Sequence, residues 1–254
     1  MTLRVPLPPA FLHPGLLAHR GLHGPGVPEN SRAAFAAALE AGYGIELDLQ
    51  RTADGVALAF HDDMLRRLTG TEGRVRERSA AEMAALPLLG GGGAGAPTLA
   101  EVLQQVAGRV PLLIEIKDQD GALGADVGPL EEAVAALLRD YGGPVAVMSF
   151  NPHAVAAMAE LAPAIPRGLV TDAFAPRSWP GVPEARLAEL RAIGDVARTG
   201  AAFLSHDHRD LANPRVAALR DAGLPILCWT VRSAAEEQAA RAVARAVTFE
   251  GYRP

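Results

Sequence analysis

The chain has 254 residues, 49% of them hydrophobic and 21% charged, with 24 Lys and Arg against 29 Asp and Glu for a net charge of −5 at pH 7. That is a soluble globular composition with room for one large domain or two small ones, and the acidic balance without a basic block argues against non-specific binding to nucleic-acid backbones. Cys228 is the single cysteine, which excludes an intrachain disulfide and an all-Cys zinc site.

In chain order, Met1–Ala10 holds Pro6, Pro8 and Pro9 where a signal peptide would carry a continuous apolar run. No uninterrupted apolar stretch of about 18 residues follows. The expectation is a cytoplasmic protein with no stable membrane anchor. Leu16–Gly21 reads as a strand and Ser31–Ala41 as a helix closed by Gly42. Ile45–Gln50 and Val56–His61 are strands separated only by Arg51-Thr52-Ala53-Asp54-Gly55, too short for a crossover helix but suited to a hairpin. That hairpin places Asp48 roughly opposite Phe60 and His61. The stretch 69–97, charge-rich and then glycine-rich, is expected to be a flexible surface excursion. It is not a phosphate loop, because no Lys-Ser/Thr pair follows the glycines.

Beyond it, strand and helix alternate. Helices are expected at Thr98–Val106, Leu130–Tyr141, His153–Leu161, Glu184–Ile193, Pro214–Ala222 and Ala234–Val243. The strands between them are Leu112–Lys117, Val145–Phe150, Arg167–Thr171, Ala202–His206, Ile226–Thr230 and Ala246–Glu250. With the second hairpin arm set aside, eight parallel strands remain. About 250 residues is the usual size of a TIM (β/α)8 barrel, so the predicted fold is α/β, a single such domain over 1–254 with an antiparallel extension after the second strand.

In that fold, chemistry sits at the C-terminal strand ends. Glu46 and Asp48 are two apart on one strand and share its lumen face, and Glu115 and Lys117 repeat the spacing on the next barrel strand. Three carboxylates at one rim repel one another unless a cation holds them, and all-oxygen ligation suits Mg²⁺ or Ca²⁺. The competing reading is that Glu46 or Glu115 forms a structural ion pair with Arg20 or Lys117. Beside them, His19 and His61 can divide acid and base duties, and Arg20 offers a planar donor fork suited to phosphate. The residues point to phosphoester chemistry. His206 is a further candidate pocket residue, although Ser205-His-Asp-His208 is equally a loop cap; a metal site of His206 and His208 is the less favoured reading.

These residues resemble the glycerophosphodiester phosphodiesterases. The resemblance rests on Ala18-His-Arg-Gly21, Pro28-Glu-Asn-Ser31, Gly44-Ile-Glu-Leu-Asp-Leu-Gln50, Thr52-Ala-Asp-Gly55, Phe60-His-Asp-Asp63, Pro97-Thr98-Leu99, Ile114-Glu-Ile-Lys117 and Trp229-Thr-Val231. It implies that His19 and His61 are the catalytic acid–base pair and that Arg20 contacts phosphate. It further implies that Glu46, Asp48 and Glu115 bind one divalent cation, that Lys117 lies near the phosphate and that Trp229 lines the pocket. The family's reaction releases sn-glycerol 3-phosphate and an alcohol from a glycerophosphodiester, by attack of a glycerol hydroxyl on phosphorus and hydrolysis of the cyclic phosphate. The implied partner is thus a small-molecule substrate rather than a nucleic acid.

The chain departs from the family pattern near its end. Arg232 replaces the usual Asn after Trp-Thr-Val, and Thr248-Phe-Glu-Gly-Tyr-Arg-Pro254 replaces the usual Thr-Asp-Xaa-Pro, with Glu250 ending the last strand. Arg232 either adds positive charge for an anionic substrate or points to solvent, the favoured reading for an arginine. Two other functions compete with this one. A phospholipase D-like or cyclising phosphodiesterase acting on a lipid headgroup would need an apolar lipid-binding loop, and with 5% aromatic residues no exposed aromatic cluster is expected at the rim. A non-catalytic binding protein would have lost a histidine or metal carboxylate, and none is lost.

Overall fold

The computed structural model describes residues 4–254. The expected domain and the proline-interrupted N-terminal segment both begin at Met1, so their first three residues lie outside the described residues.

All nine expected strands form: β1 (Leu16–Ala18), β2 (Gly44–Arg51), β3 (Ala57–Ala59), β4 (Leu112–Ile116), β5 (Val145–Ser149), β6 (Arg167–Thr171), β7 (Phe203–Asp207), β8 (Ile226–Val231) and β9 (Ala246–Phe249). Eight are parallel in the ring order β1-β2-β4-β5-β6-β7-β8-β9, closed by pairing of β1 with β9. This is a (β/α)8 barrel. β3 lies outside the ring, antiparallel to β2, with Leu49 opposite Ala59 and Arg51 opposite Ala57. Phe60 N–H donates to Asp48 O at 3.0 Å, so the hairpin has the expected register.

Among the described residues, ten α-helices fill the connections: α1 (Arg32–Ala41), α2 (Arg66–Thr69), α3 (Ala80–Ala85), α4 (Leu99–Val106), α5 (Pro129–Leu138), α6 (Pro152–Leu161), α7 (Glu184–Arg191), α8 (Val196–Thr199), α9 (Pro214–Asp221) and α10 (Ala234–Ala240). Their starts follow local chemistry. Ser31, Thr98, Asn151 and Asn213 accept backbone N–H bonds as N-caps, and the last two are followed by Pro at the first helical position. α5 and α10 end earlier than periodicity suggests. Tyr141 N–H bonds to Leu138 O and Val243 N–H to Ala240 O, three-residue bonds that tighten the final turn into a loop.

The strand period of two divides the interior into layers. On β2, Ile45, Leu47 and Leu49 face the helices, and on β4 so do Leu112, Ile114 and Ile116. The alternate positions face the lumen. Its apolar floor joins Leu17, Leu113, Ala146, Met148, Val170, Phe203, Leu227 and Ala246 with Leu7 and Phe11 from the segment preceding β1. Above that floor, the lumen positions of β2 and β4 become Glu46, Asp48 and Glu115. Glu46 is registered with Leu113 and Asp48 with Glu115, so the acids rise in steps from apolar to polar.

Where a structureless glycine run is expected, 69–97 is folded onto β3. Leu58, Phe60, Leu65, Leu68, Val75, Met83, Leu88 and Ala96 form a separate apolar cluster. The glycines turn the chain: Gly91 N–H donates to Leu88 O and Leu88 N–H to Ala94 O, while Leu89 N–H ties the turn to Leu68 O. A count of glycines alone misses the apolar residues at its flanks. Among the described residues, no helix is long and apolar enough to cross a membrane.

Candidate active site

The loop leaving β1 makes a sharp turn through His19, Arg20 and Gly21. Arg20 has φ 55° and Gly21 φ 78°. A Cβ at Gly21 would stand 2.8 Å from Ala34 of α1, so only glycine fits there. A non-glycine residue in the left-handed region costs roughly 1–2 kcal/mol. Arg20 is held there by three backbone bonds. Its N–H donates to Glu46 Oε2 at 3.1 Å, its carbonyl accepts from Asn30 N–H at 2.9 Å, and Gly21 N–H donates to Glu46 O at 3.2 Å. Asn30, fully buried and itself at φ 51°, clasps Asp48: its Nδ2 donates to Oδ2 at 2.9 Å, and its Oδ1 accepts from the Asp48 N–H at 3.2 Å. Asn30, just before the Ser31 N-cap of α1, is therefore a fastener for β2.

The three carboxylates converge. Ligand oxygens of Glu46, Asp48 and Glu115 lie within 4.8 Å of one another, and all three residues are buried. Ion pairs are also present. Lys117 Nζ sits 2.9 Å from Asp48 Oδ1 and 2.6 Å from Glu115 Oε1, and Arg20 Nε lies 3.2 Å from Asp48 Oδ2. Burial would push Asp48 up, but Lys117, His61 and Arg20 hold it well below the usual carboxylate range. Burial also opposes the charge of Lys117, and Asp48 and Glu115 outweigh it, so the ammonium is kept. Glu46 receives only the Arg20 N–H, with His19 Nε2 4.0 Å away; burial first, then Asp48 and Glu115, push its pKa well up. The ion pairs thus leave one buried acid over. Three all-oxygen donors with this spacing fit one hard divalent cation, whose ligand distances are about 2.0–2.6 Å.

Both histidines are fixed through Nδ1. His19 Nδ1 lies 2.6 Å from Glu250 Oε2 and His61 Nδ1 2.6 Å from Asp62 Oδ1. A histidine whose Nδ1–H is held by a carboxylate presents Nε2 for chemistry. Burial lowers the pKa of His19, partly offset by the Glu250 bond. Glu250 also lies 2.7 Å from Arg232 and 3.4 Å from His23, and the His19 bond first, then His23, with Arg232 adding to them, hold its carboxyl below the usual range. Arg232 is 58% exposed, yet its guanidinium is anchored on Glu250 rather than free in solvent. Arg67 reaches both Asp62 and Glu29, and Glu29 in turn pairs with Arg20 at 2.7 Å. The hairpin arm carrying His61 is thereby tied to the His-Arg-Gly turn.

A cavity of about 170 Å³ is lined by His19, Arg20, Glu46, Asp48, His61, Glu115, Lys117 and Trp229, the full set expected from the sequence. Trp229 donates its indole N–H to Ser205 O at 3.1 Å and turns its ring to the space. His206 does not reach it. It is fully buried, with Nδ1 2.7 Å from the Thr171 hydroxyl and Nε2 3.1 Å from Asp210. Neither His206 nor His208 belongs to a compact ligand cluster among the described residues. Aromatic residues gather at the rim, buried or half-buried rather than exposed. Phe150 packs edge to face on Phe174, Trp179 and Trp229, and Phe174 lies tilted against Trp179; they come from separate strands and loops, so their contact had no sequence signal.

Known proteins share both sequence and fold. YhdW of Bacillus subtilis (strain 168), provisionally named a glycerophosphodiester phosphodiesterase, is 30% identical over 226 residues, covering 86% of each chain. A glycerophosphodiester phosphodiesterase of Caldanaerobacter subterraneus is 33% identical over 173 residues, 65% of this chain and 69% of the relative. An Oleispira antarctica phosphodiesterase, solved in complex with the product sn-glycerol-3-phosphate, superposes with a TM-score of 0.76 at 25% identity, covering 94% of both chains. Residues 19–248 match the profile of the glycerophosphoryl diester phosphodiesterase family, and the chain belongs to that family.

Proposed function

We propose that this chain, acting as one barrel domain, hydrolyses glycerophosphodiesters to sn-glycerol 3-phosphate and an alcohol. One observation carries the assignment of roles: two imidazoles, each held through Nδ1 by a carboxylate at 2.6 Å, line one cavity with three buried acids, an arginine and a lysine. The family is divalent-metal dependent, and Glu46, Asp48 and Glu115 are the residues that would hold the ion, Mg²⁺ or Ca²⁺. Bound there, it supplies positive charge against which a phosphoryl oxygen is polarised.

The chain's own groups do the rest. Arg20 and Lys117 face the phosphate, and their attachment to buried acids keeps them in place before substrate arrives, so little reorganisation is needed as charge builds on phosphorus. His19 lines only the smaller cavity and takes the proton of the attacking glycerol hydroxyl at Nε2. His61 lines this cavity and a larger neighbour, which supports its part in delivering a proton to the oxygen of the departing alcohol as the P–O bond breaks. Water then opens the cyclic phosphate. Trp229 walls the site.

The test is turnover of glycerophosphocholine, glycerophosphoethanolamine and glycerophosphoglycerol, followed by phosphorus NMR. Release of sn-glycerol 3-phosphate, abolished by EDTA and restored by Mg²⁺ or Ca²⁺, is the expected result. Folded protein that hydrolyses none of the three with either metal would overturn the proposal.

A further inference from the structure

Adjoining the catalytic cavity is a larger one, of about 570 Å³, which shares His61, Glu115, Lys117, Phe150 and Trp229 with it. A diester whose phosphorus lies between the histidines extends one of its two alcohols into this space. We propose that it is a cation subsite, and that the preferred substrates carry an ammonium-bearing alcohol seated against Phe150, Trp179 and Trp229 with Asp172 and Asp118 as its counter-charges. The inference rests on the glycerophosphodiester reading of the adjoining site.

The walls have the form of an aromatic cage. The Phe150 ring stands 4.9 Å from Trp179 and 5.4 Å from Trp229, edge to face at 63° and 84°, Trp179 lies 5.4 Å from Phe174 at 33°, and Phe150, Trp179 and Trp229 all line the cavity. Both indole N–H groups are occupied elsewhere. Trp179 donates to the Asp172 carboxylate at 3.1 Å and Trp229 to Ser205 O, leaving π-faces as what the cage offers. Such faces attract a quaternary or primary ammonium and offer a neutral polyol no directional bonds.

Charge points the same way. Four aspartates line the cavity: Asp62, Asp63, Asp118 and Asp172. The first two are ion-paired to Arg67 and Arg74. Asp118 takes hydrogen bonds from Asn151 and the Leu123 N–H, and Asp172 from Trp179 and the Phe174 N–H, but neither has a cationic partner among the described residues. Burial raises the pKa of both carboxyls, and neighbouring Asp120 adds to the rise at Asp118. Lys117, a shared lining residue, is committed to Asp48 and Glu115. The cavity is therefore unsuited to an alcohol bearing a second phosphate or a carboxylate.

The decisive comparison is glycerophosphocholine against its carbon isostere, the 3,3-dimethylbutyl ester, which has the same shape without the charge. The wild type is expected to favour the choline ester by about tenfold in kcat/KM. Trp179→Ala and Asp172→Asn should each bring the ratio close to unity, and Trp179→Phe, which keeps an aromatic face, should retain most of it. A second measurement needs no turnover. The chain's two tryptophans both line this cavity, so tetramethylammonium chloride should change intrinsic fluorescence saturably where sodium chloride does not. Hydrolysis of both esters at equal rate overturns the cation subsite and leaves the hydrolase standing. Hydrolysis of neither, with Mg²⁺ or Ca²⁺ present, overturns the hydrolase, and the fluorescence titration then decides the subsite: no saturable change overturns it.

Discussion

The two sides of the barrel mouth are built on different principles. From His19 to Lys117 the polar side chains sit on strands or on turns bonded directly to strands, and nearly every charge is already paired: Lys117 with Asp48 and Glu115, Arg20 with Glu29 and Asp48, His61 with Asp62. From Phe150 to Trp229 the surface is aromatic, carried largely by loops, and beside it Asp118 and Asp172 have no ion-pair partner among the described residues. The first arrangement suits a reaction whose charge must be stabilised at fixed points. The second suits an alcohol that has to be held, released and told apart from others. Under the proposals above, catalysis and selectivity draw on adjoining arcs of one ring that meet at His61, Glu115, Lys117, Phe150 and Trp229.

The sharpest way to break that division is His61→Ala. It should lower kcat by about 10²–10⁴-fold while calorimetric Mg²⁺ or Ca²⁺ binding and melting temperature stay close to wild type. A near-normal rate would show that acid–base work is not confined to the polar arc. Glu115→Ala comes next: half-maximal activity should require about tenfold more metal or greater, recoverable by adding it. Asn30→Ala touches neither cavity directly but strips buried Asp48 of two hydrogen bonds, at an expected cost of about 1–3 kcal/mol in denaturant unfolding.

An effect confined to alkaline pH belongs to neither arc. Cys228, on the helix-facing side of β8, has its thiol pushed up to about 12 from an ordinary 9 by burial. The folded state then holds this proton where the unfolded chain releases it. Its contribution to stability is intact below pH 9 and declines as pH rises from there toward 12, by no more than about 1.4 kcal/mol per pH unit. Cys228→Ala should flatten the alkaline limb of the stability profile, and the wild-type thiol should react with a disulfide reagent at pH 8 only after denaturation.

What could be read in the sequence was governed by distance along the chain. The alternation of Ile45, Leu47 and Leu49 with Glu46 and Asp48 announces a strand with one wet face, and Asp54-Gly55 announces the turn that returns His61 to it. Both are local. Glu250 meets His19 across 231 residues, and nothing in Phe-Glu-Gly indicates that this acid orients a histidine at the other end of the chain. His206 shows the converse. Its position at a strand end suggests a pocket residue, yet Thr171 on the neighbouring strand and Asp210 in the following turn absorb both ring nitrogens. The aromatic arc was invisible for the same reason, since residues 150, 179 and 229 become neighbours only when the ring closes.

The excursion packed on β3 has a consequence for how this enzyme should fail. Alternate residues of that strand serve two masters: Ala57 and Ala59 belong to the main core, while Leu58 joins the small cluster under the excursion, together with Phe60 just beyond the strand end. His61 follows immediately, so one of the two imidazoles is mounted on a minor foldon rather than on the ring. Such a unit opens at lower free energy than the whole domain. Under gentle heating or denaturant, activity should vanish while the barrel's circular dichroism persists, and loss of function would then mark the detachment of one arm instead of the collapse of the molecule.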